Sequence, residues 1–125
     1  MKVLETERLL LRPWKMEDLT DFYTYCRDPE VGPNAGWKPH ESMEESRGIL
    51  EAWIAGEEEI WALEEKGSKR VIGSLGLHND RRRSDVPDCK MMGYALSREF
   101  WGKGFMPEAV SAVMDYAFTC LLYTS

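Results

Sequence analysis

In this 125-residue chain the segment Arg98-Glu99-Phe100-Trp101-Gly102-Lys103-Gly104-Phe105-Met106-Pro107-Glu108 leaves the backbone few choices. Two glycines one residue apart interrupt any regular element, and Pro107 has no amide hydrogen and suits only the first turn of a helix. Downstream, Val110, Val113, Met114 and Ala117 recur at helical spacing, so a helix is expected from Pro107 with these residues on its inner face. Upstream, Met92, Tyr94 and Leu96 alternate within residues 90–96, the period of a strand. Strand, glycine loop and helix start in that order form an anion site, because glycine lets backbone N–H groups converge where the positive end of the helix dipole lies. Gly-x-Gly also serves turns with no ligand, so the motif needs company. Two other phosphate loops are excluded: Lys103 is followed by Gly104 rather than Ser or Thr, and there is neither a third glycine nor a parallel βαβ unit.

The rest of the chain reads as short alternating and helical patterns. Leu9 and Leu11 share one face of a strand over residues 6–12, and Leu19, Phe22, Tyr23 and Cys26 form an apolar stripe on a helix over residues 16–27. Residues 31–41 carry Gly32, Pro33, Asn34, Gly36 and Pro39 and are expected to be a loop. Ser42 followed by Glu45 is a capping box, opening a helix with Met43, Leu50, Trp53 and Ile54 inward and Gly56 as its stop. Residues 59–66 and 70–78 make a hairpin, with Val71, Gly73, Leu75 and Leu77 on one face, and residues 79–88 form a polar loop before a fourth strand. The order strand, helix, helix, strand, strand, strand, helix predicts one α+β domain with a mostly antiparallel sheet flanked by helices.

Composition narrows the partners. With 43% hydrophobic and 30% charged residues and five tryptophans, the chain can build one core. A net charge of -6 argues against a nucleic-acid partner, and the one dense basic run, Arg81-Arg82-Arg83, sits in a loop. Three cysteines, Cys26, Cys89 and Cys120, are odd in number and lack Cys-x-x-Cys spacing, so no disulfide framework or metal site is expected and reduced, cytoplasmic thiols are. No apolar run is long enough to span a bilayer, and the first residues are acidic where a signal peptide is apolar, so no membrane partner is expected.

Four stretches in order and spacing resemble the GNAT superfamily of N-acetyltransferases, in particular its RimJ/RimL-like (ribosomal-protein-alanine acetyltransferase-like) branch. They are Glu5-Thr6-Glu7-Arg8-Leu9-Leu10-Leu11-Arg12-Pro13-Trp14, Val71-Ile72-Gly73-Ser74-Leu75-Gly76-Leu77, Gly93-Tyr94, and Phe100-Trp101-Gly102-Lys103-Gly104-Phe105-Met106-Pro107-Glu108-Ala109. The resemblance implies acetyl-CoA as co-substrate, its pyrophosphate on Trp101, Gly102, Lys103, Gly104, Phe105 and Met106. It implies that the pantetheine arm pairs with backbone of Tyr94, Ala95, Leu96 and Ser97, and that this strand offers an N–H to the thioester oxygen. Trp101 stands where the superfamily more often has Gln or Arg, and Met106 where it has Gly or Ala.

The implied reaction is direct attack of a neutral primary amine on the thioester, the acceptor being a small molecule or a peptide, including a protein N-terminal α-amine. Relatives often carry an acidic residue where this chain has Met91, so the base candidates are His78 and Asp80. Cys26 and Cys89 have no histidine at motif distance and read as structural. Trp37 and His40 fall in the loop that the resemblance makes one wall of the acceptor site. A weak base favours amines with a pKa of about 8 over lysine at about 10.4.

The resemblance covers residues 4–118, and the family's closing strands and helix are absent. Residues 1–119 are therefore expected to be the first and central part of one GNAT domain. Residues 120–125 also match one reading frame of a transposon-end sequencing adapter and are expected to be a non-native tail. An uncovered strand edge then predicts self-association of the truncated chain. The other class of function left open is a non-catalytic CoA-binding module.

Overall fold

The computed structural model describes residues 3–31, 38–56, 59–79 and 90–124. Five antiparallel strands lie side by side in chain order: β1 (Leu4–Glu5), β2 (Leu9–Pro13), β3 (Glu59–Glu65), β4 (Val71–Asn79) and β5 (Lys90–Leu96). Between β2 and β3 come a 3₁₀ turn (Met16–Asp18), α1 (Leu19–Cys26) and α2 (Met43–Ala55), and β5 is followed by a second 3₁₀ turn (Arg98–Phe100) and α3 (Phe105–Thr124). The α+β class and the antiparallel sheet agree with the sequence reading. The sheet has one more strand than the pattern suggests, because the expected first strand is preceded by a two-residue strand too short to alternate visibly. Thr6 makes the turn between them: its N–H donates to the Leu9 carbonyl (2.9 Å), and its hydroxyl accepts from the Leu9 amide (3.0 Å).

Both faces of the sheet are covered. On one face Leu9, Leu11, Trp61, Leu63, Ile72 and Leu75 meet Phe105, Ala109 and Val113 of α3, and on the other Ile60, Ala62 and Val71 meet Phe22, Tyr25 and Leu50 of α1 and α2. Arg12, on β2, donates to Asp18 (2.8 and 2.9 Å) and to Glu64 of β3 (3.0 Å), which ties the first turn after β2 back onto the sheet. The Asp18 and Glu64 carboxylates overcome the cost of burial and raise the already high guanidinium pKa further, so this cation stays charged.

Three expected faces are revised. Leu63 pairs with Gly73 and Glu64 with Val71, so Ile72 is an extra residue in β4, a bulge that flips the alternation and puts Val71 and Leu75 on opposite sides of the sheet rather than the same one. In α2 the inner face is Ser46, Ile49, Leu50 and Trp53; Met43 and Ile54 are exposed, because they lie at the flanks of a stripe that only the position of α1 defines. In α3, Phe105, Ala109 and Val113 point inward while Met114 is 58% exposed. The start of α2 keeps half the expected capping box: Ser42 accepts from the Glu45 amide (3.3 Å), and the Glu45 carboxylate accepts from the amide of Glu41 (3.1 Å), one residue earlier than expected.

Gly73 sits opposite Leu96, where the backbone of β5 lies close against β4. A Cβ there would lie 2.4 Å from the Ala95 carbonyl oxygen and 3.1 Å from the Leu96 Cα, so β5 would have to move. Gly73→Ala is expected to destabilise the fold by about 1–3 kcal/mol, whereas Gly48→Ala, in α2 with nothing within 4 Å, is expected to stabilise it by about 0.5–1 kcal/mol. Urea midpoints of the two variants check both signs.

Candidate active site

The end of β5, the second 3₁₀ turn, the glycine loop and the start of α3 enclose a cleft of about 350 Å³. Tyr94, Ala95, Leu96, Trp101, Gly102, Gly104, Phe105 and Met106 line it, joined by Val31, Phe100 and Pro107. Eight residues singled out on the strand and loop therefore meet at one cavity. Ser97 and Lys103 lie beside it in sequence and do not line it.

Strand geometry sorts the four expected backbone partners. The Ser97 amide donates to the Ile72 carbonyl (2.7 Å), which makes Gly73 and Leu96 a non-hydrogen-bonded pair of the antiparallel ladder. The backbone groups of Leu96, and two residues earlier of Tyr94, consequently point away from β4, toward a side on which no strand lies among the described residues. Ala95 faces β4 and Ser97 has its amide engaged, so an extended ligand on this edge meets Tyr94 and Leu96. The Leu96 carbonyl already accepts from the Trp101 indole N–H (2.7 Å), which folds Trp101, one of the lining residues, back onto the end of β5.

The glycine loop has the backbone form its sequence anticipates. Gly102 and Gly104 both adopt positive φ (75° and 81°), and a Cβ on Gly102 would meet nothing within 4 Å. The Glu108 amide donates to the Gly104 carbonyl (3.2 Å), which begins the helical ladder at Gly104. The amides of Gly104, Phe105 and Met106 thus precede the first intrahelical bond, and Pro107 has none to offer. A loop of this form can hold a phosphate group by backbone alone. The helix starts two residues earlier than Pro107 because Phe105 packs under the loop against Phe100 (ring centroids 5.5 Å apart).

Three residues that brace the loop escaped the sequence reading. The Glu108 carboxylate accepts from the Arg8 amide (3.0 Å), from Arg8 Nε (2.8 Å) and from the Thr6 hydroxyl. Arg8 Nη1 donates to the Lys103 carbonyl (2.9 Å), and its guanidinium stacks on Phe105, 4.2 Å from the ring centre. Arg8 and Glu108 are 100 residues apart, so no local pattern could pair them; the one available signal was that Thr6, Arg8 and Glu108 all lie inside the resembling stretches.

The remaining expectations fall elsewhere. His40 is buried: its Nδ1 lies 2.6 Å from the Ser46 hydroxyl and its ring packs edge-on to Phe22. Desolvation lowers its pKa against the pull of Glu45, and the ring, packed between the helices, does not line the cleft. His78 lies on β4 opposite Met91, with its side chain outside the described residues, and Trp37, Asp80, Cys89 and Arg81-Arg82-Arg83 lie outside them altogether. Cys26 is buried and desolvation raises its thiol pKa, which makes it inert, as expected. Among the described residues no group of His, Cys, Asp and Glu could hold a metal ion, and no helix is long and apolar enough to cross a membrane.

This five-stranded sheet running into a glycine loop is the fold of solved acetyltransferases. A GNAT-family acetyltransferase from Bacillus anthracis superposes with a TM-score of 0.80 at 19% identity, over 94% of this chain and 67% of that one. A ribosomal-protein-S5-alanine acetyltransferase from Vibrio fischeri superposes with a TM-score of 0.64 at 21% identity, over 97% and 69%. In sequence, an uncharacterized N-acetyltransferase, p20, of Bacillus licheniformis is 32% identical over 97% of this chain and 68% of its own length. The family model for the acetyltransferase (GNAT) domain matches residues 8–124, and the chain belongs to that family of acyltransferases.

Burial alone would raise the Glu108 pKa; the hydrogen bonds from Thr6, the Arg8 side chain and the Arg8 amide, with the Arg8 charge, outweigh it and hold the carboxyl below 4.5. A folded pKa below the unfolded one contributes stability that is complete above the unfolded value and is lost as pH falls through the folded value. Glu108→Gln is expected to melt below the unaltered protein at about pH 7, with the gap closing as the pH is lowered toward about 3. A gap that stays constant over that range would contradict the ionic role of Glu108.

Proposed function

We propose that this acetyltransferase takes its acetyl group from acetyl-CoA and transfers it to a primary amine, a protein N-terminal α-amine being the preferred acceptor. One observation carries the reading: the outward backbone of Tyr94 and Leu96 and the positive-φ loop at Gly102 and Gly104 face one continuous cleft. An extended arm with amide groups suits the strand edge, and a pyrophosphate suits the loop. Bound there, acetyl-CoA supplies an activated thioester carbonyl.

The chain's own contributions are positional. The amides of Gly104, Phe105 and Met106 bind the pyrophosphate oxygens, and Lys103 adds a nearby positive charge. The Tyr94 and Leu96 backbone aligns the arm, and the strand offers a backbone N–H to the thioester oxygen for developing negative charge. Trp101 and Val31 shield the cleft from water. The preference for an α-amine rests on Met91 standing where relatives often carry a carboxylate: without that base, an amine already neutral in good part at cellular pH is the better nucleophile. The structural neighbour from Vibrio fischeri is named for a ribosomal-protein alanine, which makes an alanine-initiated peptide the first acceptor to try.

Release of the CoA thiol is followed with alanine-initiated peptides and with Nα-blocked lysine peptides, and faster turnover of the former is expected. Gly104→Val is expected to raise the acetyl-CoA Kd about 5- to 30-fold, because a β-branched residue is strained by roughly 1–2 kcal/mol at positive φ and pulls the loop out of its binding form. An unchanged Kd would reduce the loop to a turn, and binding without transfer to any amine would leave a CoA-binding module in place of an enzyme.

A further inference from the structure

We infer that Arg8 is a positioning residue for the glycine loop, holding the Lys103–Gly104 peptide from behind so that its N–H faces the cleft; the inference rests on the acetyl-CoA reading of that cleft. In a planar trans peptide the carbonyl of one residue and the amide of the next point in opposite directions. Arg8 Nη1 donates to the Lys103 carbonyl at 2.9 Å, while Gly104, the next residue, lines the cleft and Arg8 and Lys103 do not. The amide that belongs to this carbonyl is therefore turned toward the side a phosphate would occupy.

Glycine makes such a hold necessary. The Lys103–Gly104 peptide flips by changing ψ of Lys103 and φ of Gly104, and the glycine on its far side, at positive φ, lets it rotate with little steric penalty there. Rotated by half a turn, it would aim its N–H at the guanidinium, donor against donor, and its carbonyl oxygen at the cleft, where it would repel a phosphate. The guanidinium accepts one of the two orientations. Its own place is fixed by Glu108, through Nε and the Arg8 amide, and by the Phe105 ring at 4.2 Å. A Cβ on Gly104 would lie 3.4 Å from Arg8 Nη2, so the side chain rests directly on the loop. Lysine keeps the charge at this position but offers no fork able to engage Glu108 and the Lys103 carbonyl together.

The test separates the phosphate end of the donor from its acyl end. Initial rates are measured for the unaltered protein, Arg8→Lys and Glu108→Gln with acetyl-CoA and with S-acetylpantetheine, which lacks the pyrophosphate; thermal melts establish that each variant is folded. For Arg8→Lys the KM for acetyl-CoA is expected to rise about tenfold or more with kcat within about twofold, and kcat/KM for S-acetylpantetheine to stay within about twofold. Glu108→Gln is expected to shift the same quantity in the same direction by less. Equal losses with both donors would make Arg8 a general structural residue and overturn the inference, as would an unchanged acetyl-CoA KM. Failure of the unaltered protein to bind acetyl-CoA at all would instead overturn the reading of the cleft, and this inference with it.

Discussion

The carboxylate of Glu108 receives two bonds from Arg8 and one from Thr6, and through them the first turn of the chain is fastened to the first turn of its last helix. That contact decides where α3 begins relative to the sheet. It also sets the glycine loop against β5, since Arg8 reaches past Glu108 to the loop's own carbonyl at Lys103. A helix start of this kind has a partial positive charge that would be lowered by any nearby carboxylate; here the Arg8 guanidinium offsets Glu108, and the amides ahead of it keep their attraction for an anion.

The sheet supplies the other half of the site through an irregularity. The extra residue at Ile72 in β4 changes which side chains reach which face, and Gly73 beside it leaves room for the Ala95 carbonyl. Beyond this point β5 stops pairing after Ser97 and the chain turns into the loop, so the outward backbone of Tyr94 and Leu96 ends up next to the loop amides. Trp101 joins the two parts, since its indole hydrogen bond to the Leu96 carbonyl spans loop and strand. The cleft is thus built from backbone, and its side chains mainly hold that backbone in place.

Much of the local structure was legible because it follows from spacing. The α1 stripe of Phe22 and Cys26, the hairpin around Gly67, the stop at Gly56 and the glycine loop all depend on neighbours a few residues away. Where the reading slipped, the deciding partner was remote. Met43, Ile54 and Met114 are apolar and correctly spaced, yet exposed, because the position of the facing element selects which flank of a broad stripe is covered. His40, in a loop of breakers, packs its ring between Phe22 of α1 and Ser46 of α2, a placement that no local pattern indicates.

The sequence by itself determined the elements and their order, the antiparallel class, and the loop residues Gly102 and Gly104, since hydrophobic period, glycine freedom and proline's missing amide act within a few residues. Only the tertiary structure decided that Thr6 and Arg8 belong to the same site as Lys103 and Glu108. It alone separated Tyr94 and Leu96 from Ala95 and Ser97 as the outward-facing pair. Hydrogen-bond direction and ion pairing depend on three-dimensional register and on contacts across 95 or more residues, and neither leaves a periodic trace in the chain.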